Sequence, residues 1–158
     1  MKHAVLLDST VFILYLVGCT DRSFIRTHKA LRDSAYSEED FDLLIDYLRG
    51  AEQLLVTPHV LAETSNLAKR ILPPARDAVY LFLREIVARL NEVGEPSSVA
   101  MQRTEFVRLG LTDAALLNVA ARPEVTLLTA DLDLYLAALS SGYRAVNFAH
   151  LQDNYLYS

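Results

Sequence analysis

Cysteine, glycine, proline and positive charge are all scarce in this 158-residue chain. Its one cysteine, Cys19, excludes an internal disulfide and leaves no cysteine cluster for zinc, a usage that suits a reducing, cytoplasmic setting. With five glycines, five prolines and no repeat or low-complexity stretch, the chain is neither disordered nor fibrous in composition. Lys and Arg number 15 against 20 Asp and Glu, and the net charge of −5 argues against a protein that coats nucleic acid through a broad basic surface, since that mode rests on neutralising phosphates, while leaving room for a local basic patch. The apolar run Val11–Val17 is far too short to cross a bilayer. Leu16-Val17-Gly18-Cys19 has the look of a lipoprotein cleavage box, but Asp8, Ser9 and Thr10 interrupt the apolar core such a signal needs, so an uncleaved chain with no membrane role is expected. No Gly-rich loop precedes a Lys-Ser or Lys-Thr pair, which excludes a nucleotide-hydrolase phosphate loop. Thr10, in place of a second acid two residues after Asp8, argues against an aspartyl phosphatase.

What is present is apolar: 52% of residues are hydrophobic and 22% charged, which fits one domain, residues 1–158, with one substantial core. Ala4–Leu7 predicts a strand ending at Asp8, and Thr10–Val17 a helix apolar on nearly every side, therefore buried, and closed by Gly18. The polar segment Thr20–Tyr36 predicts a loop or short surface helix. Ser37 predicts an N-cap, with Glu38, Glu39 and Asp40 in the first turn and Phe41, Leu44, Ile45 and Leu48 as the apolar stripe, up to Gly50. Leu54–Thr57 predicts a strand, and Thr57-Pro58 the start of a helix reaching about Arg70. Helices follow over Arg76–Asn91, Ser98–Leu109 and, capped by Thr112, Asp113–Ala121. Val125–Leu128 and Ala145–Phe148 predict strands on either side of a helix over Leu132–Ser140, with a short helix near Leu151 at the end. Short apolar strands separated by helices imply an α/β fold with a parallel sheet covered on both faces. Ligands of such sheets sit outside the carboxyl ends of the strands, where Asp8 and Asp131 fall.

Two more acids join them. Glu63 follows Val60 by three residues and precedes Leu67 by four, and Asp113 is followed by Leu116, Leu117 and Ala120, so both are expected on inward helix faces. A buried unpaired carboxylate costs several kcal/mol at least, so such acids are protonated, ion-paired or metal-bound. Singly, each has a plain explanation: Asp8 as a helix cap, Asp113 as a first-turn acid, Glu63 as a partner of Lys69 or Arg70. Jointly those explanations weaken, because inward cations are few and Lys69 and Arg70 fall on other faces of their helix. An all-oxygen cluster suits Mg2+ or Mn2+. Such ions acidify water for in-line attack on phosphorus. Asp8, Asp113 and Asp131 are then the main ligands, with Glu63 completing the shell or orienting the water, and Asp133 a further candidate ligand.

Leu7-Asp8-Ser9-Thr10-Val11-Phe12-Ile13, Thr57-Pro58-His59-Val60-Leu61-Ala62-Glu63, Leu111-Thr112-Asp113-Ala114-Ala115-Leu116 and Leu127-Leu128-Thr129-Ala130-Asp131-Leu132-Asp133-Leu134 together resemble the PIN-domain nucleases, especially the VapC-like ribonuclease toxins of toxin–antitoxin pairs. The resemblance covers almost the whole chain. It implies a three-layer fold with a short parallel sheet of about four or five strands, metal-dependent endoribonuclease activity on RNA, frequent homodimers and, for toxins, an antitoxin that blocks the site. Carried over by position, the family's acids fall on Asp8, Glu63, Asp113 and Asp131, and its supporting hydroxyls on Ser9, Thr10 and Thr129. Leu134 stands where the family often has a bulky aromatic, and Thr20–Tyr36 is longer than in the most compact toxins.

Other residues carry less. His59 reads as an ordinary helix histidine, Asn66 as a polar neighbour of Glu63, and Arg22, Arg26, Lys29 and Arg32 as a solvated basic surface that would hold a phosphate backbone only if it flanks the site. The eight tyrosines form no ordered platform for base stacking. The alternative to an enzyme is a non-catalytic RNA- or protein-binding module whose acids hold a structural cation or a partner's arginine.

Overall fold

The computed structural model describes residues 3–27 and 36–156. The elements are β1 (Ala4–Leu7), α1 (Ser9–Thr20), α2 (Phe24–Thr27), α3 (Glu38–Leu48), β2 (Gln53–Val56), α4 (Pro58–Ala68), α5 (Ala75–Val87), β3 (Asn91–Glu92), α6 (Ser97–Ala100), α7 (Phe106–Leu109), α8 (Leu111–Ala120), β4 (Val125–Thr129), α9 (Leu132–Ser140), β5 (Arg144–Asn147) and α10 (Phe148–Leu156). Five strands form one parallel sheet in the order β3-β2-β1-β4-β5, flanked by helices as a three-layer α/β fold. Because β1 has β2 on one side and β4 on the other, the order reverses between β1 and β4, and the crevice beyond that pair's carboxyl ends is where such sheets receive ligands.

The central strands are apolar on both faces because helices cover both. Every residue of β1 and β4 is buried, with Leu6 opposite Leu55 and Leu127 and Leu7 opposite Leu128. Helix α1 packs against α3, α4 and α5, and α8 packs against β1, β4 and α9. Among the described residues no helix is long and apolar enough to cross a membrane.

Several boundaries differ from the sequence reading, each for a local reason. Gly18 does not close α1, which runs on to Thr20; a Cβ at Gly18 would enter the Phe41 ring, so the glycine is the contact point with α3. Ser37 does cap α3, in a full capping box with Asp40. Thr57 caps α4 through its hydroxyl, with Pro58 in the first turn. Helix α5 ends at Val87 rather than Asn91, and the residues beyond it pair with the open edge of β2, Asn91 beside Leu55 and Glu92 beside Val56. The helix expected over Ser98–Leu109 is two single turns, α6 and α7, both packed on α8. Between them Arg103 turns toward Asn118 Oδ1 (3.0 Å) and the Tyr143 hydroxyl (3.2 Å). Gly110, at φ +90°, starts α8 at Leu111, so Thr112 lies within the helix and is not its cap.

Candidate functional site

Asp8 leaves the end of β1 at the reversal point. Its backbone N–H donates to Leu128 O of β4 (3.1 Å), and its side chain is 3% exposed. The Thr129 hydroxyl donates to Oδ2 at 2.7 Å, the Thr10 hydroxyl donates to the same oxygen at 2.9 Å, and the Ser9 N–H donates to Oδ1 at 2.7 Å. Asp8 is also the N-cap of α1, so capping and site membership coexist in one residue. Burial raises its pKa above the ordinary value; the hydrogen bonds from Thr129, Thr10 and Ser9 work against that rise, and the charge of Asp131 adds to it.

The two threonines reach beyond Asp8. Thr10 Oγ1 accepts from Ala130 N–H (3.0 Å) and Thr129 Oγ1 accepts from Asp131 N–H (2.9 Å), which fixes the turn leaving β4. Asp131 then caps α9, its carboxylate accepting from Leu134 N–H at 3.1 Å. The supporting places expected for Ser9, Thr10 and Thr129 are thus occupied by hydroxyls that donate to acids.

Glu63 corrects the expectation of an inward acid. It is exposed, and Thr64 occupies the buried position on α4. The carboxylate is nonetheless turned toward the sheet edge, because Ser9 donates to Oε2 at 2.9 Å and Thr112 donates to Oε1 at 2.8 Å. Thr112 is the residue the sequence reading missed in this role, and no spacing pattern signals a bond across 49 positions.

Asp113, half-buried in the first turn of α8, makes no hydrogen bond or ion pair among the described residues. Its pKa is pushed up to about 7, first by burial and then by the charges of Asp8, Asp131, Glu63 and Asp133. Asp133 is exposed and contributes its charge from the first turn of α9.

The four ion pairs among the described residues, Arg22–Glu38, Arg22–Asp42, Arg49–Asp46 and Arg103–Glu105, all lie away from these five acids. Arg70 is a second correction. It lies in the turn beyond the end of α4, and with Glu63, Asn66 and Leu67 it lines an open recess of about 270 Å3, without pairing with the acid. Arg22 is committed to Asp42 and Glu38, while Lys29 and Arg32 lie outside the described residues. His59 faces Ser97 Oγ through Nε2 (3.3 Å).

The donor set is all oxygen, several charges are negative, and among the described residues no ion pair offsets them, a composition that fits a hard divalent ion such as Mg2+ or Mn2+. Among the described residues no three Asp, Glu, His or Cys side chains form a ready-made metal cage. Asp131 accepts from its cap N–H and Glu63 from its two hydroxyl donors.

No protein-family model matches the chain, and no curated protein matches it. Among solved structures it is similar to the crystal structure of PAE2754 from Pyrobaculum aerophilum, with a TM-score of 0.57 and 17% identity over 100% of this chain and 98% of that one. That likeness spans the whole α/β domain and is one of fold.

Proposed function

We propose that the protein is a divalent-metal-dependent endoribonuclease, in which Asp8, Glu63, Asp113 and Asp131 form the working acid cluster. The observation that supports this best is Asp113: a half-buried carboxyl with no polar partner among the described residues, pushed up to about 7 by burial and four surrounding acids, at the reversal point of a parallel sheet. Asp8 is the fixed member, oriented by Thr10, Thr129 and the Ser9 N–H. Asp113 and Asp131 stand beside it as further ligands, and Glu63, steered by Ser9 and Thr112, completes the shell or orients the attacking water. A bound Mg2+ or Mn2+ supplies Lewis acidity and charge neutralisation on the phosphoryl oxygens. The resemblance to VapC-like toxins adds the finer reading of a toxin acting as a homodimer, with an antitoxin covering the acidic edge.

The competing reading is a non-catalytic binding module of the same fold, which draws on the lack of a ready-made cage. End-labelled RNA incubated with Mg2+ or Mn2+ separates the two. Cleavage by the wild type that stops with a chelator and falls about 100-fold or more in both Asp8→Asn and Asp113→Asn supports the nuclease. A wild type that cuts no RNA under any divalent ion supports the module.

A further inference from the structure

The recess beside Glu63 has a composition that the acid cluster does not explain. It is lined by Glu63, Asn66, Leu67 and Arg70. Arg70 is exposed, and its guanidinium makes no hydrogen bond or ion pair among the described residues. The recess is continuous with the acidic edge through Glu63 itself, whose carboxylate both lines it and accepts from Ser9 and Thr112. Arg70 stands in the turn that follows α4 and lines the same recess as Glu63. A cation in a recess that adjoins an acid-rich centre suits a second phosphate on the strand whose first phosphate faces the acids. An arginine fork binds phosphate oxygens in pairs without reading the base. Asn66, between the two, offers an amide donor and acceptor to the intervening sugar or base edge.

We propose that the α4 recess of Asn66, Leu67 and Arg70 is a subsite for the nucleotide next to the scissile phosphate of single-stranded RNA, with Arg70 holding the flanking phosphate. The inference rests on the nuclease reading for the location of the scissile phosphate. Its role is positioning: Arg70 sets where the strand lies and takes no part in bond breaking. Arg22 and Arg103 are differently placed, Arg22 bonded to Glu38 and Asp42 and Arg103 to Glu105, Asn118 and Tyr143.

The test pairs binding with cleavage on full-length protein. A fluorescein-labelled ten-nucleotide RNA is titrated by anisotropy in Mg2+, at several salt concentrations, with wild type, Arg70→Gln, Arg70→Lys and Asn66→Ala, and each is assayed for cleavage. Arg70→Gln is expected to raise both Kd and KM about fivefold to tenfold, leave kcat within about twofold and flatten the salt slope by about one. Arg70→Lys is expected to recover the salt slope but only part of the affinity, because a point charge replaces the fork. Unchanged Kd, KM and salt slope in Arg70→Gln, from a wild type that does cleave RNA, overturn the subsite and leave the nuclease reading standing. RNA that binds, weakens with Arg70→Gln and is never cut overturns the nuclease reading and, with it, the subsite beside a scissile phosphate. A wild type that neither binds nor cuts RNA overturns both.

Discussion

Thr112 in α8 donates a 2.8 Å hydrogen bond to Glu63 Oε1 in α4, joining two helices whose residues are 49 positions apart. Since Glu63 is exposed, this bond and the one from Ser9 are what turn its carboxylate toward Asp8. Thr112→Val removes one of the two without opening a cavity. On the proposed nuclease reading RNA cleavage is expected to fall about tenfold, the usual cost of losing a supporting partner of a metal ligand, while the unfolding free energy stays within about 0.5 kcal/mol of wild type. Steady-state cleavage and urea denaturation check the two halves.

Thr129→Val is a different case because its hydroxyl is buried and serves twice, donating to Asp8 and accepting from Asp131 N–H. Losing it leaves buried groups unsatisfied, and a destabilisation of about 1–3 kcal/mol is expected in urea. The bond from Thr129 is the largest of the effects holding down the Asp8 pKa. Without it the carboxylate ionises at higher pH, so the acid limb of the cleavage profile should move upward.

Asp113 gives a pH prediction with a definite sign. Its folded pKa is raised from 3.8 to about 7, so the folded state binds the proton more tightly than the unfolded one. The resulting stability is fully present below about pH 4 and is lost as pH rises through about 7. Partial exposure lets solvent screen the repulsion, which brings the loss to about 1–2 kcal/mol. Metal-free Asp113→Asn should therefore be more stable than wild type at pH 8 and should lose that advantage as the pH falls toward 4. Denaturant midpoints across that range, with a chelator present, measure the difference.

Gly18→Ala tests the packing that backs the site. The added methyl has no room beside the Phe41 ring, so α1 and α3 must separate, at a cost of about 1–3 kcal/mol in thermal or urea unfolding.

How much of this was legible in the sequence follows from how local each signal is. Asp8 and Asp131 end apolar strands, and the strand pattern alone puts them at the sheet's carboxyl edge, where they are. Ser37 and Thr57 announced their helices through adjacent residues, and both cap as expected. Asn91–Glu92 has no strand character of its own and is extended only because β2 offers an open edge, a fact of tertiary pairing. Helical periodicity placed Glu63 by its apolar neighbours and pointed it inward. Its true orientation comes from hydroxyls 54 and 49 positions away, beyond the reach of a pattern within one helix. The break between α6 and α7 is non-local in the same way, with Arg103 between them bonded to Asn118 and Tyr143.

The central claim is that these acids constitute a divalent-ion site, and calorimetric titration of Mn2+ into the metal-free protein at pH 7 tests it most directly. The account predicts saturable binding by the wild type, accompanied by proton release as Asp113 ionises, and loss of that binding in Asp8→Asn. Equal Mn2+ binding in wild type and Asp8→Asn, or none in either, would contradict it.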